Sequence, residues 1–146
     1  REDRQVWSRV TDAMTPAESY ARFEAVVAKA MTAQDPVAAL ETASKDRELP
    51  AELRAALGCV DADGVRLTAL LVAKLRFERL LRGCSEAADW FDEDPEGFSG
   101  VFRRYHHQVA PLAFFPPEEA RQFLGWLRAS PATSSQSEPP EELQAR

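Results

Sequence analysis

GVRLTALLVAKLRFERLLR, residues 64–82, is the stretch that decides the fold of this chain. Its large apolar residues recur at spacings of three and four and cover well over half of the circumference of a helix. They are Val65, Leu67, Leu70, Leu71, Val72, Leu75, Phe77, Leu80 and Leu81. Because a helix that is apolar over most of its surface has to be buried, we predict that this segment is the central and most buried helix, and that Gly83 ends it.

Strong helix-start signals lie on both sides of this segment. Thr15-Pro16-Ala17-Glu18 combines a capping threonine, a first-turn proline and the glutamate of a capping box. Other predicted starts are Asp35-Pro36, Leu49-Pro50, Ser85, Asp94-Pro95 and Pro116-Pro117, and a shorter helix is predicted around Val6, Trp7, Val10 and Met14. Strand-like alternation is absent. We therefore predict an all-α fold, a single compact orthogonal or bundle-like domain of six to eight helices over residues 1–129.

The end of the chain differs from the rest in composition. Residues 130–146, SPATSSQSEPPEELQAR, are rich in Ser, Pro and Glu and contain one large apolar residue, Leu143. Such a segment cannot bury enough apolar surface to offset the entropy lost on ordering. We predict a disordered tail over residues 130–146.

The composition and net charge of the chain indicate which kinds of partner it is able to bind. The chain has 146 residues, of which 45% are hydrophobic and 29% are charged, and it has a net charge of −6. No apolar run approaches the ~20 residues of a membrane span, so we expect a soluble, cytoplasmic protein that does not enter a membrane. An acidic protein repels phosphate-rich surfaces, which makes nucleic acid an unlikely partner and favours a protein partner. Fifteen Arg against three Lys are typical of a GC-rich bacterial genome.

Catalytic and metal-binding motifs are missing from the sequence. It has no glycine-rich phosphate loop, no GxSxG and no pair of histidines at helical spacing, since His106 and His107 are adjacent and diverge on a helix. Cys59 and Cys84 have no CxxC context, and we predict that both are reduced thiols in the core. We expect a protein that is not an enzyme and that needs neither a cofactor nor a metal.

Aromatic residues concentrate in one region of the chain. Nine of the thirteen lie between Trp90 and Trp126. On the helix after Pro95, one face carries Phe98, Val101, Phe102, Tyr105 and Val109, the opposite face carries Arg103, Arg104 and His107, and His106 lies at the boundary. We predict that Phe98, Phe102, Tyr105, Phe123 and one of Phe114 and Phe115 belong to the core.

An acidic segment precedes this helix and suggests a binding surface. Asp89, Asp92, Glu93, Asp94 and Glu96 surround Trp90, and Trp and Arg are residue types that dominate binding hot spots. The alternative is that the acids only cap and start helices. The residues predicted to contact a partner are Trp90, Asp92, Glu93, Asp94, Arg103, Arg104, His107 and Trp126. The predicted function is an adaptor, a regulatory subunit, or an inhibitor such as an immunity-type protein that neutralises a toxin.

Residues 50–82 also allow a helix-turn-helix interpretation. A short helix, a turn containing Gly58 and Gly64, and a long helix with several bases follow one another. Against it, Asp61 and Asp63 stand where a recognition helix would meet phosphates, and we expect Asp63 to cap that helix. A DNA-binding regulator is therefore the second hypothesis.

Overall fold

The computed structural model describes residues 15–130, which form seven helices and no strand. The helices are α1 (Pro16–Met31), α2 (Pro36–Ser44), α3 (Ala51–Gly58), α4 (Ala62–Gly83), α5 (Ser85–Glu93), α6 (Pro95–Gln108) and α7 (Pro116–Ala129). The predicted all-α class is confirmed. The helix predicted around Val6 and Met14 lies outside the described residues, as does the predicted tail from residue 131 onward.

Side-chain caps explain where four of the helices begin. Each cap accepts a hydrogen bond from the backbone N–H three residues further on, at 2.7–3.2 Å, which satisfies one of the free donors of the first turn. The caps are Thr15, Asp35, Asp61 and Asp94. The expectation that Asp63 caps α4 is wrong, because Asp61 does so and Asp63 instead pairs with Arg66 at 3.0 Å.

Two hydrophobic cores share α4. The first, called here the aromatic core, has Trp90, Phe98, Phe102, Tyr105 and Phe123 among its buried residues and joins α4, α5, α6 and α7. The second, the aliphatic core, consists of Ala30, Met31, Leu40, Leu49, Leu57 and Val65 from α1, α2, α3, α4 and the loop before α3. Within residues 15–130, helix α4 packs against α1, α2, α5, α6 and α7, so its predicted central position is correct.

The prediction that α4 is the most buried helix is wrong. Only Val65, Arg76 and Leu80 are buried along its 22 residues. The opposite side carries Leu67, Leu70, Leu71 and Leu75, which are 59%, 65%, 49% and 51% exposed. The neighbouring helices are too few to surround α4, so one of its two apolar faces remains without a packing partner among residues 15–130.

A loop between α6 and α7 follows the carboxyl-terminal half of α4. Arg76 Nη1 donates to the carbonyl of Val109 at 2.8 Å, and Arg79 Nη1 donates to the carbonyl of Ala113. At the end of α4, a Cβ on Gly83 would collide with the carbonyl oxygen of Pro116. Gly83 is thus required for a close backbone approach, and it does not adopt the left-handed conformation that a helix-ending glycine suggests.

Candidate protein-interaction surface

The structure corrects the role predicted for Trp90. Its side chain is only 3% exposed, and its ring packs against Phe98 with centroids 5.4 Å apart in an edge-to-face arrangement. The amphipathic pattern of α5 directs Trp90 and Ala87 into the aromatic core. A partner could reach this ring only if the core opened, so Trp90 is excluded as a contact residue.

Trp126 is half-buried and supports the core from its edge. Its ring lies 5.5 Å from that of Tyr105 and 6.1 Å from that of Phe123, and its Nε1 donates to Gln108 Oε1 at 2.9 Å. A tryptophan with a packed ring and a satisfied N–H is well explained by its contribution to α6–α7 packing. Nothing in its surroundings singles it out for a partner.

The charged residues predicted for the surface lie on the outside of the protein. Asp92, Glu93, Arg103 and Arg104 are exposed, and Asp94 is half-buried where it caps α6. Within residues 15–130, no ion pair joins either of the two acids to either of the two arginines. The acidic and basic groups are therefore not joined by an ion pair, and the buried Trp90 does not connect them at the surface.

The two histidines diverge as the helix geometry predicts. His107 is exposed and its Nδ1 lies 2.7 Å from the carbonyl oxygen of Thr32, where it can donate to the end of α1. His106 is 5% exposed and stacks on Phe102. Burial and the positive charge of Arg76 lower the pKa of His106 to about 4, so this ring is neutral at pH 7.

A buried polar cluster links α4, α6 and α7, and the sequence reasoning missed it. Glu119 and Arg76 are both completely buried. Glu119 Oε1 accepts from Arg76 Nε at 3.0 Å and from the Tyr105 hydroxyl at 2.6 Å, while the guanidinium also lies over the Tyr105 ring, 4.7 Å from its centroid. Burial and the hydrogen bond to Glu119 raise the pKa of Tyr105 above its usual value, which keeps the hydroxyl protonated as the donor.

The arrangement of this cluster is that of a buried ion pair that stabilises the fold. Arg76 Nη2 lies 2.9 Å from the same Glu119 oxygen but outside hydrogen-bond geometry, and Glu119 Oε2 has no hydrogen-bond donor among the described residues. Both charged side chains are closed off from solvent, so no substrate can reach them in this conformation. The only sequence signal was a charged residue at helical spacing from Val65, Val72 and Leu80 on the inner face of α4.

Among residues 15–130, seven of the nine exposed large apolar residues belong to α4 and to the loop before α7. Leu67, Leu70, Leu71 and Leu75, called here the leucine stripe, are neighbours at three- and four-residue spacings on the outside of α4. Leu112, Phe114 and Phe115 project from the loop between α6 and α7 and are 70%, 82% and 65% exposed. The expectation that Phe114 or Phe115 belongs to the core is therefore wrong.

The loop residues and the leucine stripe border each other. Leu75 and Arg79 lie one turn apart on the same side of α4, and Arg79 holds the carbonyl of Ala113, between Leu112 and Phe114. Two backbone N–H groups of the loop, those of Phe114 and Phe115, donate to Glu118 Oε2 at 3.1 and 3.4 Å. The loop is thus fixed at both its ends, with its apolar side chains directed outward. The leucine stripe and these loop side chains together are called the apolar face.

A cavity of about 850 Å³ lies between α1 and α2. Its lining is mainly Ala and Thr from these two helices, and the charged residues beside it are Lys29, Lys45 and Asp46. His107 lines the same cavity from α6. Small residues on both helices explain the open space, because they pack α1 and α2 without filling the gap between them.

Other kinds of site are not found in the described part of the chain. Residues 15–130 hold no group of three or more His, Cys, Asp or Glu side chains placed to bind a metal ion. None of their helices is both long and apolar enough to cross a membrane. Both cysteines are free, and whereas Cys84 is buried as predicted, Cys59 is exposed.

Comparison with known proteins adds no functional assignment. No protein-family model matches the chain, and no match is found among curated proteins or among solved structures. The case for a function therefore depends on the chemistry and exposure of the residues described above.

Proposed function

We propose that this chain is a small protein-interaction module, an adaptor, regulatory subunit or inhibitor, and that its contact surface is the apolar face. One observation carries this proposal: seven large apolar side chains with exposures of 49–82% lie on the outer side of α4 and on the adjoining loop, whereas most of the aromatic residues between Trp90 and Trp126 are buried or half-buried. Exposed apolar patches of more than a few hundred Å² are uncommon on monomeric proteins and mark interaction sites.

The energetics favour burial of this surface by another protein. Removing a fully exposed Leu or Phe side chain from water contributes about 1.5–3 kcal/mol. Several such residues on a regular helix, next to a loop fixed by Arg79 and Glu118, offer this gain without a large ordering cost. The shape of the surface is already formed before a partner arrives.

The predicted charged residues take a secondary place in this proposal. Asp92, Glu93, Arg103, Arg104 and His107 are exposed or partly exposed, and charges at the rim of an interface affect association rate and partner choice more than affinity. Without Trp90 as an apolar centre, these residues have no buried core around which a strong contact could form. We therefore give the apolar face the main contribution to binding.

Capture of proteins from the lysate of the source cells tests this function. The chain is immobilised, and its bound proteins are compared with those of the double variant Leu70→Ser and Phe114→Ser. We expect the variant to lose the specifically bound protein and to keep the wild-type melting temperature, because both side chains are exposed. Tyr20→Ser is the matched control, since Tyr20 is 64% exposed on α1. Equal capture by all three forms would contradict the proposal.

No observation favours the helix-turn-helix alternative. The outer side of α4, which would have to face a DNA groove, carries four exposed leucines. Its amino end presents Asp61 and Asp63, both exposed, toward the position of the phosphates. Apolar and acidic groups in these places oppose the phosphate contacts on which DNA affinity depends.

A further inference from the structure

We propose that the leucine stripe is covered by α4 of a second copy of this chain, packed antiparallel about a twofold axis that passes close to Leu71. This inference rests on the proposed function, because it names the protein that occupies part of the apolar face. The mean position of Leu67, Leu70, Leu71 and Leu75 falls near residue 71, so a twofold axis there places leucines of one copy opposite leucines of the other.

The length of the helix suits this arrangement. Helix α4 has 22 residues and is therefore about 33 Å long, and residue 71 lies near its middle. An antiparallel pair about this point overlaps over nearly the whole helix.

The charges at the two ends of α4 are complementary in this orientation. At the amino end, the exposed Asp61, Asp63 and Arg66 leave one net negative charge. Toward the carboxyl end, the bases and Glu78 leave two net positive charges; the bases are Lys74, Arg79 and Arg82. Antiparallel packing brings each acidic end near the basic end of the other copy.

A parallel pair would place like ends together. It would bring both acidic ends to one side and both basic ends to the other, and it would also align the two helix dipoles. Like charges that face each other across an interface disfavour association. The charge pattern of α4 therefore selects the antiparallel orientation over the parallel one.

Sedimentation equilibrium of the full chain, from micromolar to millimolar concentration, measures the self-association. We expect a monomer–dimer equilibrium, and Leu71→Glu should raise its dissociation constant by about 30-fold or more, the effect of losing a central contact residue. The matched control Tyr20→Glu, on α1, should leave the constant unchanged. A wild-type chain that stays monomeric throughout, or a Leu71→Glu variant that associates as strongly as the wild type, overturns the proposal.

Charge exchange tests the complementary ends. Asp63 and Arg82 have side-chain exposures of 92% and 74%, so replacing them should not disturb the fold. Asp63→Arg and Arg82→Glu should each weaken self-association by up to about tenfold, and a mixture of the two variants should associate more tightly than either one alone. A mixture that associates no better than the separate variants overturns the charge argument.

Cysteine cross-linking tests the orientation. In a Cys59→Ser background, Leu71→Cys should form an interchain disulfide on mild oxidation, because both copies present this position near the axis. Leu67→Cys should not, since the two sites would be about 12 Å apart along antiparallel helices, beyond disulfide reach. Cross-linking at position 67 and at position 71 alike overturns the antiparallel arrangement.

The outcomes separate this inference from the proposed function. A monomeric chain whose Leu70→Ser and Phe114→Ser variant still loses a captured protein overturns the second copy as occupant and leaves the interaction module in place. A chain whose variants change neither self-association nor capture overturns both. Occupation of the leucine stripe by residues 1–14 of the same chain would give the monomeric result and likewise overturns the dimer.

Discussion

The aromatic and aliphatic cores are held together by different means. In the aromatic core, rings from α4, α5, α6 and α7 meet mostly edge-to-face, with centroids 5.0–6.2 Å apart, around a buried ion pair and a tyrosine hydroxyl. The aliphatic core contains six small or medium residues and no buried ion pair, and it lies beside the cavity between α1 and α2. In the aromatic core, large rings and fixed hydrogen bonds hold the side chains in a single packing arrangement. In the aliphatic core, the small residues leave open space between α1 and α2.

This difference changes the meaning of the aromatic cluster in the sequence. A concentration of Trp, Tyr and Phe between residues 90 and 126 suggested a binding surface, but its members mostly build the aromatic core. The exposed apolar surface came instead from leucines of α4 and from the short loop before α7. From this comparison, we predict that the stability of the aromatic core depends on a few specific groups, whereas the aliphatic core tolerates substitution.

The largest expected effect comes from breaking the buried ion pair. Glu119→Ala leaves the Arg76 guanidinium buried without its carboxylate and should lower the free energy of unfolding by about 3–5 kcal/mol. Urea denaturation followed by circular dichroism measures this change. Glu41→Ala, at an exposed position on α2 beside the aliphatic core, is the control and should change stability by about 0.5 kcal/mol or less.

A double replacement separates the charge from the packing. Arg76→Met with Glu119→Leu removes both charges and keeps apolar volume, so it should recover most of the stability that Glu119→Ala loses. Similar instability of the single and the double variant would mean that the ion pair itself, with the Tyr105 hydroxyl, holds α4, α6 and α7 together.

The next largest effect is a dependence of the free energy of unfolding on pH, which comes from His106 where the two cores meet. His106 belongs to α6, faces Arg76, His107 and Glu119, and bonds to the backbone of Met31 in α1. The unfolded chain takes up a proton below about pH 6.5, whereas folded His106 stays neutral down to about pH 4. The unfolded state therefore binds more protons in this window, and stability falls by up to about 3 kcal/mol as the pH drops from 6.5 to 4.

Comparison of the wild type with His106→Gln isolates this contribution. The carboxylates titrate in both proteins, so their effect cancels in the difference between the two unfolding free energies. We expect this difference to change steadily between pH 6.5 and pH 4 and to be constant above pH 7. A constant difference over the whole range would show that the pKa of His106 is the same in the folded and the unfolded protein, which contradicts the prediction.

A smaller effect on stability distinguishes two glycines that end helices, Gly58 at the end of α3 and Gly83 at the end of α4. Gly83→Ala places a Cβ against the Pro116 backbone and should lower the free energy of unfolding by about 1–3 kcal/mol, because neither backbone can move freely. Gly58 has no atom within 4 Å of such a Cβ, and its φ is not left-handed. Gly58→Ala should be neutral or stabilise the protein by up to about 1 kcal/mol. Thermal denaturation of both variants measures this difference. Equal changes in stability for Gly83→Ala and Gly58→Ala would contradict the prediction.

Local signals predicted the helices well because each signal acts within a few residues. The Thr15 capping box, the Asp-Pro pairs and the period of α6 need no knowledge of the rest of the fold. Burial was harder to predict, since it depends on which neighbours are available. Both faces of α4 are apolar, and only the tertiary arrangement decides that Val65 and Leu80 are covered whereas Leu70 is not.

Pairing over long sequence distances was also beyond the reach of local patterns. Arg76 and Glu119 are 43 residues apart, and although Arg76 shares the inner face of α4 with Val72 and Leu80, no local pattern identifies Glu119 as its partner. The same limit applies to Gly83 and Pro116, whose contact gives the glycine its role. For the candidate site, the sequence indicated the exposed charges on α6 correctly. It placed Trp90 at the surface and one of Phe114 and Phe115 in the core, whereas Trp90 is buried and both phenylalanines are exposed.

The smallest expected effect concerns Asp92 and Glu93, the two acidic residues at the end of α5. Asp92 and Glu93 end one helix and precede the next, so the unfavourable interaction with the α5 dipole opposes the favourable one with the α6 dipole. Reversal of both charges to lysine should therefore change the free energy of unfolding by about 0.5 kcal/mol or less. A larger loss would mean that these acids stabilise the start of α6. If the variant keeps its stability but captures the partner protein more slowly, Asp92 and Glu93 belong to the interaction surface. If its capture is unchanged, binding is confined to the apolar face.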